Sequence, residues 1–117
     1  MTKKKRFWIY INEEVYEKYK EIVLSKPNTS INFLYKYIAD DIKQLDDALQ
    51  KNQWNAKKSK TLIDYVDNRY PSTYKRKVIT ANDDMYHHIQ SMRRRGYDIT
   101  GYVNYALYCK VRYYEEH

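Results

Sequence analysis

The chain contains very little cysteine, glycine and proline. Cys109 is the single cysteine among 117 residues, which excludes an intrachain disulfide and a cysteine-rich zinc site. Two glycines and two prolines leave few positions for long loops. The sequence also lacks a glycine-rich phosphate loop and a nucleophile–base pair. We therefore expect a protein that is not an enzyme and that needs no cofactor and no metal.

Long apolar segments are absent as well. No run is long enough to cross a bilayer, and the start MTKKKRFW lacks the apolar stretch of a signal peptide. These absences predict an intracellular protein without a membrane partner. The expected location is the cytoplasm, or the host cytoplasm if the protein is viral.

Positive charge is in excess and unevenly distributed. The chain has 22 Lys and Arg against 15 Asp and Glu, a formal net charge of +7. Residues 75–112 carry eight basic and three acidic side chains, and residues 3–6 form a basic block. Such localised charge favours a polyanionic partner, with nucleic acid ahead of a membrane surface. Plain solubility explains the same charge, so charge alone does not decide.

One sequence pattern occurs twice. A shift of 70 residues aligns positions 5–41 with positions 75–111 without a gap. Six aligned pairs are identical: Lys5/Lys75, Arg6/Arg76, Ile9/Ile79, Asn12/Asn82, Tyr16/Tyr86 and Tyr35/Tyr105. These matches lie where a strand, a helix cap and a helix would need them.

Each copy begins with a short β-prone run whose side chains alternate between two faces. One face would hold Phe7, Ile9 and Ile11 in the first copy, and Ile79 and Ala81 in the second. The other face would hold Arg6, Trp8 and Tyr10, with Arg76, Val78 and Thr80.

Two helices follow each predicted strand. Asn12 and Asn82 occupy N-cap positions ahead of acidic pairs, which suit a helix start. The first helices are predicted to bury Val15, Tyr19 and Ile22, and Met85, Ile89 and Met92, and to end near Pro27 and Gly96. Asn28 and Asp98 read as caps of second helices, with the apolar positions Ile31, Leu34, Ile38, Ile42 and Leu45, and Ile99, Val103, Leu107 and Val111.

The sequence says less about the segment that joins the two copies, and less about its isolated cysteine, histidine and acidic residues. Residues 46–74 read as a helical spacer with a short helix over Thr61–Tyr70. Cys109 is predicted to be a small buried side chain. The acidic pairs at 40–41 and 46–47 are assigned surface roles. His87 and His88 are a poor chelating pair, because adjacent helix residues point about 100° apart.

The sequence thus predicts a mainly α-helical protein with short β-strands. The expected order is β-α-α in residues 1–45, a helical spacer in residues 46–74, and β-α-α in residues 75–117.

This pattern resembles the ribbon–helix–helix family of DNA-binding proteins, of the Arc, MetJ and CopG type. The resemblance is carried by Arg6–Asn12 with Asn28–Ser30, and by Arg76–Asn82 with Gly96–Thr100. The tandem arrangement and the Tyr-, Lys- and Ile-rich composition also resemble small transcription regulators of crenarchaeal viruses. The resemblance implies a sequence-specific regulator of transcription that binds double-stranded DNA, by default a repressor that occludes a promoter.

The resemblance also implies which residues touch DNA. In the family the strands of the two copies pair as an antiparallel ribbon that enters the major groove. Base-reading residues here would then be Arg6, Trp8, Tyr10, Arg76, Val78 and Thr80. Second-helix N-termini and neighbouring cations would contact phosphates: Lys4, Lys5, Lys75, Asn28, Thr29, Ser30, Arg93, Arg94, Arg95, Ile99 and Thr100. Trp8 and Tyr10 differ from the smaller polar residues expected at such positions.

Other interpretations remain open. The two copies can pair within one chain as a pseudo-dimer, or across chains as a homodimer or a higher oligomer on DNA. The protein can instead be a low-specificity DNA-coating protein, or an antitoxin-like module that binds another polypeptide. The strands can be an ordinary hairpin whose basic residues discourage aggregation. Arg93–Arg95 can simply stabilise a helix C-terminus.

Overall fold

A computed structural model describes residues 5–25, 34–51, 61–81 and 83–116. These ranges contain two strands and five helices: β1 (Lys5–Asn12), α1 (Glu13–Leu24), α2 (Leu34–Lys51), α3 (Leu62–Arg69), β2 (Tyr74–Ala81), α4 (Asp83–Arg94) and α5 (Ile99–Glu116). The fold is mainly helical with one two-stranded antiparallel sheet. This confirms the predicted mainly helical class with two strands that pair antiparallel. The short helix Leu62–Arg69 lies within the segment predicted as a spacer.

The sheet separates an apolar face from an exposed face. β1 and β2 pair antiparallel from Lys5 opposite Ala81 to Asn12 opposite Tyr74. Side chains of a strand point alternately to opposite faces. The buried side is formed by Phe7, Ile9 and Ile11 of β1 and by Ile79 of β2. The alternation predicted for these residues of the two strands is therefore confirmed.

The first helix begins at a side-chain cap. The Oδ1 atom of Asn12 accepts a hydrogen bond from the backbone N–H of Val15 at 3.1 Å. The backbone N–H of Glu13 donates to the carbonyl oxygen of Thr73 at 3.0 Å, which joins the start of α1 to the segment before β2. Both bonds satisfy backbone groups that a helix start leaves without intrahelical partners.

The turn between α4 and α5 depends on Gly96, as predicted. Gly96 has a φ of 85°, a left-handed conformation that glycine adopts without a Cβ clash. The N–H of Tyr97 donates to the carbonyl oxygen of Met92, and the N–H of Gly96 donates to that of Arg93, each at 3.0 Å. These two bonds form a Schellman motif and place the start of α5 three residues after Gly96.

The core lies between the inner face of the sheet and the helices, and α5 crosses its centre. α5 contacts α1, α2, α3 and β1. Its buried side chains include the predicted Ile99, Val103, Leu107 and Val111, and α4 buries the predicted Met85, Ile89 and Met92. The α2 prediction is confirmed for Ile38 and Ile42.

Some side chains lie where the sequence did not predict them. In α1 the third buried position is Val23, whereas Ile22 is only partly buried. Leu45 is likewise only partly buried. Cys109 is exposed on α5, because it lies off the buried stripe of that helix. Pro27, Asn28 and Ile31, which were predicted to end one helix and begin the next, lie outside the described residues.

Membrane-spanning helices are not found in the described ranges. None of the helices there is both long enough and apolar enough to cross a bilayer.

Candidate nucleic-acid interface

The outer side of the sheet carries all six residues predicted to read bases. We call this surface the ribbon face; it consists of Arg6, Trp8, Tyr10, Arg76, Val78 and Thr80. Five of these side chains are exposed and Thr80 is partly buried. Trp8 is 56% exposed, whereas its chain neighbour Phe7 is 5% exposed. β1 therefore keeps one aromatic ring in the core and places the next one in solvent.

The strand register determines the layout of the ribbon face. Trp8 lies directly opposite Val78 at the centre. Arg6 lies opposite Thr80 at one end, and Arg76 lies opposite Tyr10 at the other. The face therefore has an apolar centre with one arginine at each end, and none of its six residues is acidic. A negatively charged partner would meet no repelling carboxylate among these side chains.

Trp8 also contacts Arg76 on the ribbon face. The guanidinium carbon of Arg76 lies 4.4 Å from the centroid of the Trp8 ring, within the range of a cation–π interaction. This contact gives the exposed Trp8 ring a partner on the neighbouring strand. It restricts the arginine and leaves N–H groups at the guanidinium edge for other partners.

Lys75, a predicted phosphate contact, lies apart from the ribbon face. It lies opposite Ile11, and so at a position of the sheet's inner side. Its Nζ atom is 3.2 Å from Oε1 of Glu13. Hydrogen bonds from the Thr73 hydroxyl and from Lys75 lower the pKa of Glu13. Lys77 is likewise on this side, with its Nζ atom 4.9 Å from the ring centroid of Tyr16. Both lysines therefore have partners within the chain.

The start of α5 and the end of α4 hold the other predicted phosphate contacts of the second copy. Thr100 is partly buried, and the side chain of Ile99 is buried, so Ile99 can offer only its backbone N–H. Arg93, Arg94 and Arg95 are exposed. The Arg95 guanidinium carbon lies 5.3 Å from the ring centroid of Tyr97. Arg93 and Arg94 are in the last turn of α4, where they also complement the helix dipole.

Four predicted phosphate contacts of the first copy fall outside the described part of the chain. These four are Lys4, Asn28, Thr29 and Ser30. The backbone of Lys5 is part of β1, whereas its side chain is outside the described part of the chain.

Asn104 holds the backbone of β1, a role that sequence reasoning missed. This side chain is fully buried on α5. Its Oδ1 atom accepts from the Asn12 N–H at 2.9 Å, and its Nδ2 atom donates to the carbonyl oxygens of Tyr10 at 2.9 Å and Thr100 at 2.7 Å. An asparagine within the apolar run YVNYAL was the available signal, since buried amides require partners.

A second set of bonds fixes the end of β1. The Nδ2 atom of Asn12 donates to the carbonyl oxygen of Tyr70 at 2.7 Å. The Tyr70 hydroxyl donates to Glu115 on α5, and this bond lowers the pKa of the Glu115 carboxyl. Lys18 on α1 lies 3.4 Å from the same carboxylate. The ribbon is thus anchored to α1, α3 and α5 below the exposed face.

Two carboxylates assigned to the surface are in fact buried. Asp41 is 8% exposed; it accepts a hydrogen bond from the Tyr19 hydroxyl and lies 3.3 Å from Nζ of Lys110. Asp46 is 7% exposed, and its Oδ2 atom lies 3.4 Å from Nε2 of His88. Charged groups are rarely buried without partners. These pairs join α2 to α1, α4 and α5, so the surface assignment is wrong for Asp41 and Asp46.

The described ranges contain no cluster of three or more His, Cys, Asp or Glu side chains able to hold a metal ion.

Comparisons with known proteins give no relative: no protein-family model matches the chain, and no curated protein and no solved structure matches it either.

Proposed function

We propose that this chain is a sequence-specific regulator that binds double-stranded DNA and inserts the β1–β2 ribbon into the major groove. The observation that carries this proposal is the ribbon face. The major groove admits a two-stranded ribbon, and side chains directed outward from it reach base edges. Arginine forms paired hydrogen bonds with guanine, threonine can bond to bases, and apolar side chains contact thymine methyl groups.

The strand register supports a tandem ribbon–helix–helix arrangement. Trp8 and Val78 are separated by the repeat offset of 70 residues, and they lie directly opposite each other. The pairs on either side are symmetric about this central pair, with Arg6 opposite Thr80 and Tyr10 opposite Arg76. Two equivalent strands related by a local two-fold axis give this register. We therefore propose that residues 1–45 and 75–117 form an intramolecular pseudo-dimer joined by the spacer of residues 46–74.

The helix ends would position the ribbon on DNA. The N-terminus of α5, at Ile99 and Thr100, presents backbone N–H groups that favour a phosphate. Arg93–Arg95, one turn earlier in the chain, would add charge contacts. In the first copy the corresponding residues are Asn28–Ser30. Phosphate contacts of this kind fix the register on the duplex, whereas sequence is read by the ribbon face.

The proposed regulatory mode is repression by occlusion. A protein that occupies the major groove of a promoter excludes other proteins from the same base pairs. This mode needs no catalytic site and no cofactor.

Footprinting on a duplex selected from random sequence tests the proposal. The proteins are the wild type, Arg6→Ala, the double variant Arg76→Ala/Thr80→Ala, and Lys43→Ala as a control that changes an exposed lysine of α2. We expect the ribbon variants to weaken or alter protection, and the control to protect like wild type. If neither ribbon variant changes the protected site, the ribbon does not read DNA.

Salt titration on specific and scrambled duplexes separates the alternatives. A regulator keeps a specificity ratio of about 10³ or more. A DNA-coating protein binds both duplexes alike and loses both together as salt rises. A protein-interaction module shows no DNA binding at any salt concentration.

A further inference from the structure

We propose that the ribbon face reads an asymmetric site in which thymine-bearing base pairs lie between two G·C pairs, and that Trp8 positions Arg76 for one of the two guanines. This inference rests on the proposed function and names the chemistry of its DNA target. It follows from three features of the ribbon face, namely its apolar centre, its separated arginines and the unequal surroundings of those arginines.

The centre of the ribbon face is apolar on both strands. Trp8 and Val78 lie opposite each other and are 56% and 38% exposed. Neither the Val78 side chain nor the face of the indole can form a hydrogen bond to a base edge. The apolar group that base edges present in the major groove is the 5-methyl group of thymine. Thymine methyl groups facing Trp8 and Val78 would give these side chains an apolar surface to contact.

The two arginines are spaced to meet separate base pairs. Arg76 lies opposite Tyr10, which is four residues along β1 from Arg6. At about 3.3 Å per strand residue this separation is about 13 Å. A base pair advances the duplex by about 3.4 Å, so the arginines are about four base pairs apart. Arginine pairs with the O6 and N7 atoms of guanine, which places a G·C pair at each end of the thymine-bearing segment.

The surroundings of the two arginines differ. The guanidinium carbon of Arg76 lies 4.4 Å from the Trp8 ring centroid, and Tyr10 lies opposite Arg76 across the ribbon. Arg6 lies opposite Thr80, a small side chain without an aromatic ring. An arginine held on a ring loses less conformational freedom when it binds a base. Arg76 should therefore discriminate guanine more strongly than Arg6, and the preferred site should not be a palindrome.

Selection from a pool of random duplexes gives the first test. We expect enriched sites to contain two G·C pairs about four base pairs apart, with thymine between them. Each intervening thymine is then replaced by deoxyuridine, which lacks only the 5-methyl group. Wild-type protein should bind about fourfold more weakly for each contacted methyl removed, the effect of leaving one methyl group unburied.

Base analogues at the flanks test the role of Trp8. Replacing guanine by 7-deazaguanine removes the N7 acceptor and should weaken wild-type binding at least about fivefold at the Arg76 end. In Arg76→Ala, 7-deazaguanine should weaken binding at only one flank. The flank where its effect has disappeared is the one that Arg76 contacts. Trp8→Gln should lose most of the sensitivity to 7-deazaguanine at the Arg76 end and part of the sensitivity to deoxyuridine. It should keep the sensitivity to 7-deazaguanine at the Arg6 end. Tyr113→Gln, which changes an exposed aromatic residue of α5, should behave like wild type.

The outcomes separate this inference from the proposed function. Specific binding to sites without central thymine, or binding unaffected by deoxyuridine, overturns the inference and leaves the regulator proposal standing. Equal sensitivity to 7-deazaguanine in wild type and Trp8→Gln overturns the positioning role of Trp8. Failure to select any specific duplex overturns the proposed function itself.

Discussion

Asn104 is the buried amide that ties β1 to α5, and its replacement by leucine should destabilise the fold strongly. The substitution removes the acceptor of the Asn12 N–H and the donor to the Tyr10 carbonyl, bonds that are 2.9 Å long. The Thr100 carbonyl keeps its backbone partner within the helix. Leucine has the same branched shape and the same number of side-chain heavy atoms as asparagine, so the substitution leaves no cavity. The main cost is the loss of partners for the buried Asn12 N–H and the part-buried Tyr10 carbonyl.

The magnitude follows from those two groups. Each buried polar group left without a partner costs about 1–3 kcal/mol, so Asn104→Leu should lower the free energy of unfolding by about 2–6 kcal/mol. At about 4 °C per kcal/mol for a domain of this size, that loss corresponds to about 8–24 °C in Tm. Far-UV circular dichroism during thermal and urea unfolding measures both quantities.

The matched control is the replacement of an exposed asparagine by leucine. Asn68→Leu changes an exposed asparagine of α3 and should shift stability by no more than about 0.5 kcal/mol. If Asn104→Leu also stays within that range of the wild type, Asn104 does not hold the edge of β1.

Asn104→Asp gives the same site a dependence on pH. Its carboxylate would face the carbonyl oxygens of Tyr10 and Thr100, so burial and repulsion would raise the pKa of the new carboxyl in the folded state. Protonation restores a donor. The stability deficit relative to wild type should therefore be smallest below the ordinary aspartate pKa and should grow as pH rises through the raised folded-state pKa. A deficit that does not change between about pH 3 and pH 7 would contradict this reasoning.

Three further predictions concern other buried contacts. Tyr19→Phe removes the hydroxyl bonded to Asp41 and should cost about 1–3 kcal/mol in urea unfolding, more than Tyr16→Phe. Asn12→Ala removes the cap of α1 and the bond to Tyr70, so it should lower Tm. A loss in Tm no larger than that of an alanine substitution at an exposed position would show that Asn12 does not hold α1 and β1. Burial, reinforced by nearby carboxylates, raises the pKa of Tyr19 and Tyr102. Their stabilising contribution should be lost as pH rises above the ordinary tyrosine range, with their ionisation in absorbance titration coinciding with unfolding by circular dichroism.

Local patterns in the sequence predicted the elements and their faces. The alternation in β1 and β2, the buried positions of α4 and the turn at Gly96 depend on strand period, helix period and backbone conformation. Each of these is decided within a few residues of the chain. The structure therefore confirms them, including which side of the strands faces solvent.

Contacts between distant elements were not available from those patterns. Asn104 reaches β1 from α5, and Asp41 meets Tyr19 and Lys110 across three helices. Neither partner is identified by spacing along the chain. The contact between Trp8 and Arg76 has the same origin, because it exists only once β1 and β2 adopt their register.

Photocrosslinking tests most directly whether the ribbon enters the major groove. The iodine atom of 5-iododeoxyuridine occupies the position of the thymine methyl group, on the major-groove edge. A selected duplex with this base at each thymine position is irradiated with the protein, and crosslinked peptides are identified by mass spectrometry. The account predicts crosslinks at Trp8 or Tyr10. Crosslinks confined to other exposed aromatic residues, such as Tyr113 and Tyr114 at the end of α5, would contradict it.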